Sequence, residues 1–145
     1  MTEKEQLNFK IGISGSYHAR KPCYTISVNG IEKAKGVADS DIEYISFDAE
    51  VEEGKIHTLD IRLTNKLMQD TVVDENGNIV KDMLLNIDYV SVDDIDLQPL
   101  KWSHSQVVAD DPERPTLTHC VNLGWNGTWV LKFESPFYIW LLENM

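Results

Sequence analysis

The chain has 145 residues, 42% of them hydrophobic, enough for one domain with one buried core and no need of metal or disulfide staples. Its 24 acidic residues against 13 basic ones give a formal net charge of −11, which excludes a nucleic-acid partner, because holding phosphates needs concentrated basic charge. No apolar run reaches the roughly 18 residues of a spanning helix, so no membrane partner is expected either.

Residues 1–6 are polar and are expected to be frayed and flexible. The opening MTEKEQLNFK lacks the apolar centre of a secretory signal, which points to synthesis in the cytoplasm. Leu7, Phe9, Ile11 and Ile13 alternate and predict a first strand, broken at Gly15-Ser16. Cys23 to Val28 predicts a second, and Asn29-Gly30 is a hairpin signal, because both residues tolerate the positive φ of a type I′ turn. EKAKGVADSD reads as a loop or half strand. Ile42 to Val51 predicts another strand, and Glu52-Glu53-Gly54 a turn.

The longest organised stretch runs from Lys55 to Leu97. Leu59, Ile61 and Leu63 alternate with Asp60 and Arg62, so one face is buried and one wet. Leu85, Ile87 and Tyr89, followed by Val92, Ile95 and Leu97, predict a second long strand. Between them, Asn76-Gly77 sits in VVDENGNIV and predicts a type I′ hairpin of its own. From Gln98 to Thr116 the texture changes to a rigid proline-rich loop holding Pro99, Pro112 and Pro115, with a short strand around Trp102, Val107 and Val108. Thr116 to Leu123, Thr128 to Glu134 and Pro136 to Leu142 read as closing strands, and Asn126-Gly127 as a third hairpin signal. Short strands at near-regular spacing, with almost no helical periodicity, predict an all-β fold: a single-domain, two-sheet antiparallel β-sandwich or jelly roll over residues 1–145.

Leu63-Thr64-Asn65-Lys66, Lys81-Asp82-Met83-Leu84-Leu85, Ile87-Asp88-Tyr89-Val90-Ser91-Val92-Asp93-Asp94 and the upstream Tyr24 to Gly30 (YTISVNG) carry a resemblance. In order and spacing they resemble the calcium-dependent xylan-binding type of carbohydrate-binding module. There, a strand ends in Phe-Thr-Asn-Asp, and a variable loop leads to Asp-Arg-Asn-Leu and a Val-Asp-Tyr-Ile strand. The resemblance spans roughly Leu7 to Leu97. It implies a jelly roll, no catalysis, a polysaccharide or cell-surface glycan as partner, and calcium as the cofactor, bound by carboxylate and carbonyl oxygens and by the sugar. Asp82 stands at the family's aspartate, while Lys66 replaces the other one, removing a ligand and adding a repulsive charge. Asp70 and Asp74 lie in the intervening loop and are the residues that would compensate. The ending from Gly124 to Met145 looks like proteins of tailed-phage genomes, which implies a virion setting.

Asp74, Asn76 and Asn78 share the one-three-five spacing of a calcium loop, but Leu85 stands where the closing acid belongs, so a plain polar hairpin is the competing reading. Asp88, Asp93, Asp94 and Asp96 read as a solvated face or a cation site. Among the aromatics, Trp125 is expected at a hairpin tip, where a flat ring can stack on a sugar; Trp129 and Trp140 read as core. His18, His57, His104 and His119 are dispersed and show no zinc spacing. Cys23 and Cys120 could pair only if their strands are adjacent; the default expectation is two reduced, buried thiols. No nucleophile elbow or phosphate loop is present, and a hydrolase would need two carboxylates across a cleft that no motif asks for.

The expectation is therefore a non-catalytic, glycan-recognising module with Asn65, Asp70, Asp82 and Trp125 touching ligand, and Asp74 and Asp82 as the metal candidates. The alternative is a structural phage-particle protein whose sandwich and unalternating FYIWLL segment assemble with its own copies or with other virion proteins.

Overall fold

The computed structural model describes residues 3–144. Thirteen strands and two helices follow in order: β1 (Lys4–Ser16), β2 (Cys23–Val28), β3 (Ile31–Val37), β4 (Glu43–Glu52), β5 (Ile56–Leu63), β6 (Val72–Val73), β7 (Ile79–Lys81), β8 (Leu84–Val92), β9 (Ile95–Asp96), α1 (Gln98–Ser103), β10 (Ser105–Ala109), β11 (Leu117–Thr118), β12 (Asn122–Leu123), β13 (Gly127–Glu134) and α2 (Phe137–Asn144). One sheet runs β12-β8-β1-β4, with β9 paired to β8; the other runs β11-β10-β13-β5-β2-β3. All pairings are antiparallel.

Alternation decides which face each sheet buries. Leu7, Phe9, Ile11 and Ile13 of β1 point inward against Leu59, Ile61 and Leu63 of β5 and Trp129, Leu131 and Phe133 of β13 in one core cluster. Phe9 and Phe133, one from each sheet, lie 6.0 Å apart between ring centroids. The expected two-sheet sandwich is the fold.

β8 does not keep its parity. Gly12 pairs with Tyr89 but Ile13 pairs with Ile87, so Asp88 is an extra residue, a β-bulge. Leu85 and Ile87 are buried before it, Val90 and Val92 after it, and Tyr89 turns out to meet the Tyr44 ring edge-on at 5.8 Å. The skip between Tyr89 and Val92 in the hydrophobic pattern was the sign of that bulge.

Several expected elements are corrected. EKAKGV forms β3, paired to β2 through the Asn29-Gly30 turn, where both residues have positive φ (53° and 80°) as a type I′ turn requires. Lys4 to Gln6 belong to β1, hydrogen-bonded opposite Glu52 to Glu50, because the edge strand β4 extends that far; residues 1 and 2 of the expected frayed segment lie outside the described residues. The proline-rich segment 98–116 holds α1 and β10, with Pro99 in the first helical turn, where its missing N–H costs nothing. Trp102 lies in α1 rather than in a strand.

The closing FYIWLL is a helix. Phe137, Trp140 and Leu141 carry the i, i+3, i+4 spacing of one buried stripe, which a continuous apolar run hides from a strand-minded reading. At Asn76-Gly77 only Gly77 has positive φ (82°), and the Gly77 amide donates to Asp74 O (3.1 Å), so the turn has a wider three-residue geometry than type I′. Asn126-Gly127 is no hairpin turn: it joins β12 in one sheet to β13 in the other. Asp93 and Asp94, both at positive φ, make the tight turn from β8 to β9 instead of extending a wet strand face.

Candidate functional site

The chain leaves β5 at Leu63 and must cross to β8 of the other sheet, and three polar anchors shape that crossing. Asn65 Oδ1 accepts the Cys23 amide (2.8 Å), and its Nδ2 donates to Lys21 O (3.0 Å). Arg20 grips Asp70 with Nε (3.3 Å) and Nη2, and Nη2 also reaches Asn65 O (2.8 Å). Asp70 Oδ2 accepts the Leu67 amide at 2.8 Å, closing a 3₁₀ turn over Met68–Asp70. Asp70 is 2% exposed, and the Arg20 guanidinium above all holds its carboxyl below the usual aspartate range.

Asn126, on the β12–β13 crossing, fastens the same loop from the other side. Its Oδ1 accepts the Lys66 amide (2.8 Å) and its Nδ2 donates to Lys66 O (3.0 Å). With its backbone held twice, Lys66 turns its side chain inward. Nζ donates to Asp82 Oδ1 (2.6 Å) and to Gly124 O. Asp82 Oδ1 also accepts Thr71 Oγ1 (2.6 Å) and the Met83 amide (2.8 Å). Burial opposes ionisation of Asp82 more than any other single influence, but the hydrogen bonds from Lys66, Thr71 and Met83 together outweigh it, and its carboxyl is held below the ordinary value.

These residues floor a cleft of about 720 Å³. Leu67, Met68, Ile79 and Trp125 supply apolar wall, and Thr71, Asp110, Asp111, Arg114 and Asn126 supply polar groups. The Arg114 guanidinium lies 4.4 Å from the Trp125 ring centroid, a cation–π contact that fixes the indole. The Trp125 Nε1 atom is buried without a hydrogen-bond partner among the described residues, so the ring offers carbon surface rather than its N–H. Arg62 Nη2 ties Asp110 to the sheet at 2.9 Å. Such a mixture of flat apolar surface with a few fixed polar groups suits a small polyhydroxylated ligand.

Of the residues expected to touch a ligand, Asp82 and Trp125 line this one cleft. Asn65 and Asp70 do not line it: their side-chain oxygens accept from backbone amides and Arg20 and brace the loop that carries Lys66. Asp74 lies apart from the cleft as well. It sits at the β6–β7 hairpin, where Oδ1 accepts the amides of Asn76 and Asn78 (2.9 Å each), and it does not line the cleft. Sequence reasoning treated Lys66 only as a lost ligand and passed over Asn126, Thr71 and Arg114. The signal for Lys66 was present, a lone lysine between Asn65 and an apolar pair, but its partners are 16 and 58 residues away.

The donor set does not fit calcium. The ion takes six to eight oxygens, whereas among the described residues no three His, Cys, Asp or Glu side chains converge, and an ammonium already stands at Asp82. The cleft carboxylate whose ionisation is clearly displaced, Asp82, moves down, the wrong way for a general acid. The two thiols are free and half-buried.

No family model matches this chain, and no curated protein matches it. Two solved structures are similar in fold. The first is vCBM60 in complex with galactobiose, with a TM-score of 0.53 at 12% identity, covering 86% of this chain and 96% of that one. The second is a selenomethionine form of vCBM60, described within an evolutionary link by circular permutation between two families of calcium-dependent carbohydrate-binding modules. Its TM-score is 0.54 at 12% identity, covering 86% of this chain and 89% of that one.

Proposed function

We propose that this chain is a non-catalytic glycan-binding module, with the 720 Å³ cleft under Trp125 as its binding site. The observation that carries the reading is the convergence in that one cleft of a half-buried indole with a fixed carboxylate, ammonium and hydroxyl at Asp82, Lys66 and Thr71. Sugars present both apolar C–H faces and hydroxyls, and such a site meets both. The fold shared with a galactobiose-binding module adds support. Screening the chain against immobilised glycans that include galactobiose and xylan fragments tests the reading. Saturable binding that Trp125→Ala weakens is expected; no binding at millimolar sugar would contradict it.

A second reading has its own observation. Tyr138, Ile139 and Leu142 of α2 are 60%, 53% and 61% exposed and share one helix face, a surface suited to assembly with further copies or with other proteins of a phage particle. The phage setting itself rests on the style of the closing segment. Sedimentation over a concentration range tests assembly: self-association that Tyr138→Ser and Leu142→Ser abolish supports it, and a monomer at all concentrations removes the self-assembly form.

A further inference from the structure

We propose that Lys66 and Asp82 form a metal-independent clamp for two neighbouring hydroxyls of a neutral sugar, the ammonium supplying the positive charge of the site. The proposal rests on the glycan reading of the cleft and specifies how it holds its ligand.

The count of donors and acceptors leads to it. An ammonium has three N–H donors. Lys66 uses one on Asp82 Oδ1 and one on Gly124 O, and the third has no partner among the described residues. Asp82 Oδ1 already accepts three hydrogen bonds, from Lys66, Thr71 and Met83, while Oδ2 accepts none among the described residues. Both side chains line the cleft, at 10% and 22% exposure. One charged donor and one charged acceptor are therefore presented side by side in a partly dry site. A hydroxyl both donates and accepts, so two adjacent hydroxyls satisfy the pair: one accepts from Nζ, the other donates to Oδ2. The pair is pre-set, because Asn126 fixes the Lys66 backbone and three donors fix Asp82. Preorganisation of this kind spares the ordering cost on binding.

Charge selects the sugar. The clamp is neutral as a pair, Asp110 and Asp111 line the same cleft against the single further cation Arg114, and the whole chain carries −11. Uronic and sialic acids are repelled and neutral hexoses or pentoses favoured. A divalent ion has no place at Asp82 while the ammonium stands 2.6 Å from its carboxylate.

Calorimetric titration of the full chain with galactobiose, cellobiose and xylobiose, each in chelator and in millimolar calcium, tests the clamp. Equal affinity in both media is expected, with loss of about ten- to a hundred-fold in Asp82→Asn and Lys66→Met, the range for a hydrogen bond to a charged group. Thermal unfolding checks that both variants fold. Methyl glycosides lacking one hydroxyl of the bound sugar probe the same contacts with the protein unaltered and should lose a comparable factor. Binding that needs calcium, or that ignores Lys66 and Asp82 while Trp125→Ala abolishes it, overturns the clamp and leaves the glycan reading standing. No binding of any of the three sugars in either medium overturns both.

Discussion

Lys66 Nζ stands 2.6 Å from Asp82 Oδ1, and the two residues sit at opposite ends of the crossing that leads from β5 in one sheet to β8 in the other. Lys66 follows β5 and Asp82 precedes β8, so their contact ties the start of the crossing between the sheets to its end. Removing one partner strands the other in a poorly hydrated place. Lys66→Met should cost about 1–3 kcal/mol of stability, most of it from leaving Asp82 and Gly124 O short of a donor. The double variant Lys66→Met, Asp82→Leu should recover part of that loss, because it removes the stranded charge as well. Denaturant unfolding of the three proteins measures both.

Asp70 gives the loop its pH dependence. Its folded-state pKa is lowered, chiefly by Arg20, so the stabilisation is present above the ordinary aspartate value of about 3.9 and is lost as pH falls through the folded value. Asp70→Asn should therefore be less stable than the parent at neutral pH, and the gap should close as the pH drops below about 4. Urea midpoints across a pH series test the sign.

Lys101 serves the bulge in β8. Its Nζ, buried under α1, donates to the carbonyl of Asp88 (2.8 Å), the residue that the bulge leaves outside the ladder. Lys101→Met should cost about 1–3 kcal/mol by orphaning that carbonyl, and amide exchange should quicken at Asp88 and Tyr89 ahead of the rest of β8. Burial lowers the Lys101 pKa against the opposing pull of Asp88 and Asp96. The folded state thus resists the charged form, and the parent should gain stability as pH rises from the folded value towards the ordinary lysine value of about 10.4, a gain absent in Lys101→Met.

Gly127 starts β13 against the backbone of β10. A Cβ there would lie 2.6 Å from Val108 O and 2.9 Å from Ala109 Cα, both main-chain atoms that cannot swing aside. Gly127→Ala should destabilise by about 1–3 kcal/mol and shift Asn126, whose carbonyl accepts the Asp110 amide at 2.9 Å. Weakened sugar binding without any change to a cleft side chain is the expected functional readout.

The sandwich was legible because most of its strands alternate cleanly; Leu7 to Ile13 and Leu59 to Leu63 announce which face is buried. The closing helix was not, because apolar residues on every side of FYIWLL mask the spacing of Phe137, Trp140 and Leu141. In the site, Asp82 and Trp125 could be chosen by residue type and by resemblance. The division of labour among Asn65, Asp70 and Lys66 could not, since Arg20, Asn126 and Gly124 decide it from 45 to 60 residues away. An aspartate is a ligand group or a buried brace according to neighbours that only the fold supplies.

The most direct test is a residue-resolved NMR titration of the full chain with galactobiose and xylobiose. The account predicts saturable shifts confined to Lys66, Thr71, Asp82, Met83 and Gly124 to Asn126, the residues that hold or line the cleft. Shifts confined instead to the outer face of β5 around Thr58 to Arg62, or to α2, would contradict it, as would an unchanged spectrum at millimolar sugar.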